Sequence, residues 1–435
     1  MMQKLFVACI FTTMIACNSS KEKNSTVVTW PAAKAPVAEI KPFTRILHGD
    51  SVVDNYNWMV DYFKKGPDST KVVDYLNAEN AYLDTMMSAT KKFQADLFTE
   101  MKARIKEKDE SVPYLKNGYY YYSRTEDGQQ YYKMCRKKGS LTAPEEVMLD
   151  VDRLARGKAY YAIGGYAVSP DNNLLAYAVD EVSRRQYTVH VKNLATGEVL
   201  TDAITNTSGE ATWAADNKTI FYTANNPVTL LSEKIKRHVI GTPATADVTV
   251  YEEKDKTNYI GVSKSKNDQY IFIYSGGTLA SDMRMIKASE PTAEFKLFQP
   301  RMKEVLYEVT PLADKFIIRT NLNAKNFKLM ECPLDQTDSA HWKDLIPHRT
   351  DVLVQGVEEF ANYLVVNERK NGLVTMRIRN LADNQEHYVD FGEAAYAANF
   401  ASNSEYNTKT LRYSYTSLTT PASIYDYDMA TKAKS

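Results

Sequence analysis

The side chains of this sequence best suited to acid–base or metal chemistry at neutral pH are its six histidines. A histidine binds zinc or acts as a general base only beside suitably placed partners, as in the HExxH motif of metalloproteases. That motif is absent, and the two histidines nearest to each other in sequence, His341 and His348, have a poor spacing for a metal. We interpret all six as structural or surface residues and predict no metal site: His48, His190, His238, His341, His348 and His387.

Nucleophilic chemistry lacks its usual sequence signature as well. A serine hydrolase of the α/β class holds its serine on a strained turn with the sequence GxSxG, beside a histidine and a carboxylate. No GxSxG occurs in this sequence. Neither a P-loop nor a GxGxxG pattern is present, so the glycine pairs at 164–165 and 276–277 are interpreted as turns. We therefore predict no catalytic residue and no cofactor site in this chain.

The amino-terminal residues predict export and a lipid anchor. Residues 5–16 form an apolar run of about a dozen residues, which is too short to span a bilayer core of roughly 30 Å. The run ends in MIAC, which resembles a bacterial lipobox with Cys17 as the lipidated residue. We predict a signal peptide at 1–16, a lipidated polar tether at 17–39, and attachment to a bacterial membrane facing the periplasm or the exterior. The alternative is an ordinary cleaved signal peptide with a chance cysteine.

Charge and composition exclude some partners. The chain contains 54 basic and 54 acidic side chains, so it has no net field that would attract nucleic acid. Its 30 tyrosines favour pleated sheet. Cys135 and Cys332 lie far apart and no CxxC is present, so no disulfide framework is indicated.

A repeat of short apolar runs dominates the rest of the sequence. Neighbouring runs start about 46 to 55 residues apart, close to the roughly 40–50 residues of a four-stranded propeller blade. Polar turns and a second strand follow several of them, which indicates antiparallel meanders rather than parallel crossovers. We predict a mainly β protein with a seven-bladed β-propeller at 113–435, the rival being a β-sandwich. The runs start at Tyr119, Leu174, Ile220, Tyr270, Phe316, Tyr363 and Leu411.

Two amphipathic helices are predicted ahead of the repeats. The second has Thr90 as its candidate cap and an apolar residue at every fourth position. A propeller does not need such stripes, so they require another surface to cover. The apolar positions are Val72, Val73, Leu76, Leu83 and Met86 in the first helix and Phe93, Leu97, Met101 and Ile105 in the second.

Several motifs of the chain, taken together and in order, resemble the start of oligopeptidase B in the prolyl oligopeptidase family. The resemblance runs from about residue 40 to the end of the sequence. Its specificity comes from the order of the motifs, since each one alone is weak. The motifs are 48–58 (HGDSVVDNYNW), 75–82 (YLNAENAY), 100–114 (EMKARIKEKDESVPY), 118–124 (GYYYYSR), 168–180 (VSPDNNLLAYAVD), 368–373 (ERKNGL) and 424–431 (IYDYDMAT).

This resemblance implies a two-part serine peptidase. In the family, a seven-bladed propeller covers an α/β-hydrolase domain, which is built from an N-terminal extension and a long C-terminal segment. Residues 40–112 would be the helical extension. The resemblance places the catalytic serine, aspartate and histidine in the C-terminal hydrolase segment, and none of them maps onto this sequence.

Two functions remain open from the sequence. The first is the N-terminal and propeller part of an oligopeptidase-B-like endopeptidase, which admits short unstructured peptides for cleavage after basic residues and is inactive as this chain alone. The second is a stand-alone lipoprotein propeller that binds a ligand or a protein. The first predicts an exposed apolar patch where the hydrolase domain would pack.

Overall fold

The computed structural model describes residues 29–64 and 66–435. The predicted signal peptide, Cys17 and the first part of the predicted tether lie outside the described residues. The chain divides into two compact units, and the boundary along the chain falls between Lys106 and Glu107. In the part of the chain that the structure describes, no helix combines the length and apolar character needed to cross a bilayer.

The first unit contains one hairpin and the predicted helical region. His48 and Gly49 connect the hairpin strands with φ values of 52° and 84°, which is the left-handed pair that a tight two-residue turn requires. Thr90 lies at the start of the last helix without capping it, since its Oγ1 donates 2.7 Å to the Met87 carbonyl instead. The elements are β1 (Phe43–Leu47), β2 (Asp50–Asp54), α1 (Asp61–Lys64), α2 (Ser69–Met86) and α3 (Lys91–Ala103).

The apolar stripe of α3 is exposed along its length. Phe93, Leu97 and Met101 retain 65%, 40% and 60% of their accessible surface, and Ile105 beyond the helix retains 66%. In α2 only Val72 is buried. The first unit therefore presents the apolar face that the sequence predicted.

The second unit consists of antiparallel sheets whose strands pair largely in chain order, as expected for meanders. The short helix α4 (Val151–Ala155) follows the first sheet. The first two sheets contain β3 (Tyr114–Lys116), β4 (Tyr119–Arg124), β5 (Lys133–Lys138) and β6 (Glu145–Asp150), then β7 (Ala162–Val168), β8 (Leu174–Asp180), β9 (Tyr187–Asn193), β10 (Val199–Thr207), β11 (Thr212–Trp213), β12 (Thr219–Asn225), β13 (Ser232–Val239) and β14 (Val248–Glu252).

Four further sheets complete the unit. Three have four strands and the last has three. They contain β15 (Tyr259–Lys264), β16 (Tyr270–Gly276), β17 (Ser281–Lys287) and β18 (Lys296–Gln299); β19 (Tyr307–Pro311), β20 (Lys315–Thr320), β21 (Lys328–Pro333) and β22 (Lys343–Ile346); β23 (Val352–Glu359), β24 (Tyr363–Lys370), β25 (Leu373–Asn380) and β26 (Glu386–Tyr388); and β27 (Tyr396–Phe400), β28 (Thr410–Ser417) and β29 (Ser423–Asp428).

The prediction of seven separate blades is wrong. From β3 to β29 the described strands form six sheets, of which five have four or more strands, so the structure supports a propeller of five full blades. One cause is the last sheet, which has only three strands. The other is β10, which pairs with β9 on one edge and, through Thr207, with Ala224 of β12 on the other. That pairing joins the strands from β7 to β14 into one eight-stranded sheet.

The core lies between neighbouring sheets. Leu175 of the second sheet packs with Met134 and Leu149 of the first, and Phe272 packs with Phe316 of the next sheet along the chain. Each sheet thus buries one face against its neighbour, as propeller blades do. Cys135 and Cys332 are free thiols buried in β5 and β21.

The last sheet contacts the first sheet. The backbone N–H of Asn117 donates 3.2 Å to Glu405 Oε2, and Arg412 Nη1 donates 2.6 Å to the carbonyl of Pro113. These contacts close the array into a ring, and a closed propeller surrounds a central channel.

Candidate functional site

Neighbouring turns at one end of the channel are joined by hydrogen bonds. These turns lie at the ends of β3, β7, β11, β15 and β19, each of which is the first strand of a group of about four consecutive strands. Asn117 Nδ2 donates 2.6 Å to the carbonyl of Pro170, and the N–H of Asp171 donates 2.8 Å to Asn217 Oδ1. Further round the channel, Asn267 Nδ2 donates 3.2 Å to the carbonyl of Pro311. The turns at 169–172 (SPDN) and 214–217 (AADN) therefore hold neighbouring groups of strands together at this end.

The local geometry of these turns follows from their residues. Asn172 and Asn217 adopt φ values of 65° and 59°, a left-handed conformation that asparagine tolerates better than most residues. Asp216 Oδ1 accepts the N–H groups of Lys218 and Thr219 at 3.0 and 2.8 Å. These bonds fix the turn before the buried strand β12 begins.

Seven charged side chains lie at this channel end, at or just beyond the ends of first strands. We call them the channel-end cluster. Lys264 Nζ lies 2.6 Å from Asp268 Oδ1, and Lys266 Nζ lies 2.6 Å from Glu358 Oε1 of a different sheet. The cluster consists of Lys116, Lys264, Lys266, Asp268, Glu358, Glu359 and Glu405.

Burial alters the acid–base behaviour of this cluster. It lowers the pKa of Lys266, an effect that the charges of Glu358, Glu359 and Glu405 oppose. It raises the pKa of Glu359 to about 7, so this carboxyl group exchanges its proton near neutral pH. The ammonium of Lys266 also lies 3.7 Å from the ring centroid of the buried Phe360, a cation–π contact.

A cavity of about 380 Å³ opens at the same channel end. Its walls come from strands β3, β7, β11 and β15 and from the turns beside them. Tyr114 and Tyr166 approach each other with their hydroxyl oxygens 3.2 Å apart, and Trp213 Nε1 donates 2.9 Å to the carbonyl of Ala167. The cavity thus combines fixed aromatic rings with the charged groups Lys116, Glu210, Lys264 and Asp268.

The histidines lie apart from this cavity. His238 is fully buried, with Nδ1 2.7 Å from Asp247 Oδ1 and Nε2 2.9 Å from Asp202 Oδ1. His341 Nδ1 lies 2.8 Å from Asp338, and His387 Nε2 lies 3.0 Å from the Tyr427 hydroxyl. His48 is exposed in its turn, His190 packs on Tyr177, and His348 accepts the N–H of Asn326.

Among the described residues, no side chains are arranged as a serine nucleophile with its histidine base or as a metal site. Across residues 29–64 and 66–435, no serine hydroxyl bonds to a histidine ring, and no three or more His, Cys, Asp or Glu are grouped to hold a metal ion. The channel-end cluster and its cavity are therefore the candidate site. Their chemistry is binding through charge and aromatic surface.

Comparison with known proteins decides the family. The family model described as the prolyl oligopeptidase N-terminal beta-propeller domain matches residues 35–435. The chain belongs to the prolyl oligopeptidase family. Membership in this family, which the sequence motifs predicted, is confirmed.

Curated relatives in the prolyl oligopeptidase family include two bacterial enzymes. The chain is 41% identical over 416 residues to dipeptidyl aminopeptidase BI of Pseudoxanthomonas mexicana, covering 92% of this chain and 57% of that protein. It is 29% identical over 412 residues to protease 2 of Moraxella lacunata, covering 92% and 58%. Among solved structures, oligopeptidase B from Leishmania major matches with a TM-score of 0.85 and 27% identity, over 93% of this chain and 60% of that one. The chain thus spans less than two thirds of each relative.

The channel-end cluster was missed from the sequence. The sequence did contain a signal for it. Glu358 and Glu359 are consecutive charged residues just before a turn, at positions where the apolar residues of a strand would otherwise continue. In this prolyl oligopeptidase propeller the same position in several sheets faces the same channel end. Charges at the ends of first strands are therefore the feature to search for.

Proposed function

We propose that this chain is the N-terminal and propeller part of a serine endopeptidase of the oligopeptidase B type, which hydrolyses short peptides after basic residues. The observation that carries the proposal is the match of residues 35–435 to the propeller domain of a peptidase family. The likeness to oligopeptidase B from Leishmania major supports the type. The catalytic serine, aspartate and histidine would belong to a hydrolase segment like that of the relatives.

The propeller would act as a gate. Its channel end carries the Lys266–Glu358 ion pair and the bonded turns, which leave little freedom for the opening to widen. A short unstructured peptide can pass such an opening, whereas a folded protein would first have to unfold. The substrate is therefore selected by size before it reaches the catalytic groups.

The exposed stripe of α3 would pack on the hydrolase segment. Phe93, Leu97 and Met101 carry large exposed side chains on consecutive turns of one helix. Contiguous exposed apolar surface of this kind marks an interaction site. The same stripe weighs against the alternative of a stand-alone lipoprotein propeller, which would leave it uncovered.

A second candidate comes from a relative's name. The Pseudoxanthomonas protein is called a dipeptidyl aminopeptidase and is 41% identical to this chain. That name favours release of dipeptides from a free amino terminus instead of internal cleavage after basic residues. The two activities use the same catalytic chemistry and differ in whether the substrate needs a free ammonium group.

Joining the chain to the remaining segment of the Pseudoxanthomonas relative tests both. We expect no hydrolysis by the purified 435-residue chain and hydrolysis of an amino-blocked arginyl chromogenic peptide by the joined protein. Cleavage of a free-amine dipeptidyl substrate alone would favour the second candidate. Hydrolysis by the unjoined chain would contradict the assignment of catalysis to another segment.

A further inference from the structure

Two charged side chains of the channel-end cavity have opposite signs, and neither forms an ion pair with any residue that the structure describes. Lys264 and Asp268 neutralise each other at 2.6 Å. In the described ranges, none of the ion pairs involves Lys116 or Glu210, although both line the cavity. The cavity therefore offers a ligand one positive and one negative group.

These two groups stand on either side of strand β7. Lys116 ends β3, whose Tyr114 contacts Tyr166 of β7, and Glu210 precedes β11, whose Trp213 bonds to β7. A ligand that meets both groups must carry its own opposite charges several ångströms apart. Burial lowers the pKa of Lys116, an effect that the charges of Asp268 and Glu405 oppose.

The volume of the cavity suits a peptide of two or three residues. A volume of about 380 Å³ lies near the lower end of the roughly 300–1,000 Å³ found for small-molecule sites. Two extended residues span about 7 Å. The rings of Tyr114, Tyr166 and Trp213 supply apolar surface for a side chain between the termini.

We propose that this cavity binds a free short peptide by both of its termini, with Lys116 receiving the carboxylate and Glu210 receiving the ammonium group. The charge pattern selects a zwitterion over a blocked peptide or a simple anion, because each end of the ligand satisfies one unpaired protein charge. The site is a binding site in the propeller and contains no catalytic group.

The proposal rests on the proposed function only in that a peptidase would supply or consume free peptides. Its test measures binding to the 435-residue chain and involves no hydrolysis. It can therefore fail while the joined protein cleaves peptides, and it can succeed while the joined protein is inactive.

Calorimetric titration with four probes tests the ligand class. The probes are Ala-Phe, N-acetyl-Ala-Phe, Ala-Phe-amide and Glu-Phe-amide, which carries its carboxylate on the side chain. We expect Ala-Phe to bind at least about tenfold more tightly than either blocked form, since each loses one charge-assisted contact. Equal binding of Glu-Phe-amide and Ala-Phe would contradict recognition of the terminal carboxylate, and no binding of Ala-Phe at millimolar concentration would overturn the proposal.

Two variants assign the termini. Lys116→Met should abolish the preference for a free carboxylate and keep the preference for a free amine, whereas Glu210→Gln should do the reverse. Lys303→Met is the control, because its side chain is 92% exposed and lies outside the cavity. Circular dichroism verifies folding of each variant. Unchanged preferences in both variants, or exchanged ones, would overturn the assignment.

Discussion

Arg412 in the last sheet and Pro113 at the start of the first sheet are joined by a 2.6 Å hydrogen bond from Nη1 to the carbonyl oxygen, although 299 residues separate them. The same guanidinium binds Asp426 through Nε and Nη2 at 2.6 and 2.7 Å. Arg412 is thus fixed within its own sheet and reaches across to the neighbouring one. The ring is closed by side-chain contacts of this kind.

Replacing Arg412 by Met should weaken ring closure. Loss of hydrogen bonds to a charged group costs about 1.5–3 kcal/mol, so the free energy of unfolding in urea should fall by that amount. Arg369→Met is the control, because the Arg369 Nη1 atom donates within its own hairpin to Gly372 and the side chain is exposed. We expect the control to change stability by less than about 0.5 kcal/mol. If both variants lost the same unfolding free energy, Arg412 would have no special role in closing the ring.

The buried His238 should be a stability residue. His238→Phe removes the ring contacts from Asp202 and Asp247, whose side chains are each 1% exposed. Asp202 then keeps the N–H of Gly241 as a donor and Asp247 keeps the hydroxyl of Tyr222, but each carboxylate loses its contact with the imidazole. Breaking a buried pair of this type costs about 3–5 kcal/mol. His341→Phe removes a comparable contact to Asp338 at the surface, where the cost should be at most about 1 kcal/mol. Thermal unfolding of both variants measures the difference, and similar values would contradict the prediction.

The repeat was predictable because one strand of each group is buried on both faces. The predicted runs at Tyr119, Tyr270 and Tyr363 coincide with the second strands β4, β16 and β24. Three successive residues are buried in β16 and in β24, and two in β4. Such a strand gives a continuous apolar run, which can be recognised in the sequence alone. The helices were recognised from a different signal, the spacing of their apolar residues.

The number of sheets and the candidate site depend on contacts between distant residues. β10 joins the next group of strands through the pairing of Thr207 with Ala224. The local sequence does not indicate this pairing. The ion pair of Lys266 with Glu358 joins residues 92 positions apart. Single-sequence patterns describe local burial, so they could not place these charges at one channel end.

The carboxyl group of Glu359 should make stability depend on pH. Its pKa is about 7 in the folded chain against 4.5 for the ordinary group, because burial disfavours the charged form. The folded chain therefore binds a proton between these pH values that the unfolded chain has lost. This contribution is complete below about pH 4.5 and disappears as the pH rises through about 7.

Glu359→Gln should remove that dependence. The charges of Lys266 and Glu358 face the same group and remain in the variant. As the pH rises from 5 to 8, the difference in unfolding free energy between the variant and the wild type should shift by about 2 kcal/mol in favour of the variant. Urea unfolding at several pH values measures it. The control Glu198→Gln changes an exposed residue, so its unfolding free energy should follow that of the wild type at every pH. If the difference in unfolding free energy between Glu359→Gln and the wild type did not grow with pH, the prediction would be refuted.

Lipidation at Cys17 remains a prediction from the MIAC motif. Expressed from its own leader in a bacterium with a lipoprotein pathway, the chain should sediment with membranes and incorporate labelled fatty acid. Cys17→Ser should release it from the membrane fraction and abolish the label. A processed wild-type chain whose mass shows an unmodified Cys17 would favour the ordinary signal peptide.

The exposed stripe of α3 should matter for assembly more than for stability. Leu97→Glu with Met101→Glu places two charges on surface that is 40% and 60% exposed, so the unfolding free energy of the 435-residue chain should change by less than about 1 kcal/mol. Binding of a hydrophobic dye should fall. In the protein joined to the hydrolase segment, the same charges would have to be buried without partners, so peptide hydrolysis should fall at least tenfold.

A matched change on the opposite side of α3 separates the interface from the helix itself. Ala95→Glu with Thr99→Glu adds the same charges to the same exposed helix, about 160° to 200° away from Leu97 at 100° per residue. That pair should leave hydrolysis by the joined protein unchanged. If both pairs reduced activity equally, the loss would come from charge on α3 and not from its apolar stripe. If neither did, the stripe would not be the surface on which the hydrolase segment packs, and the stand-alone propeller would regain support.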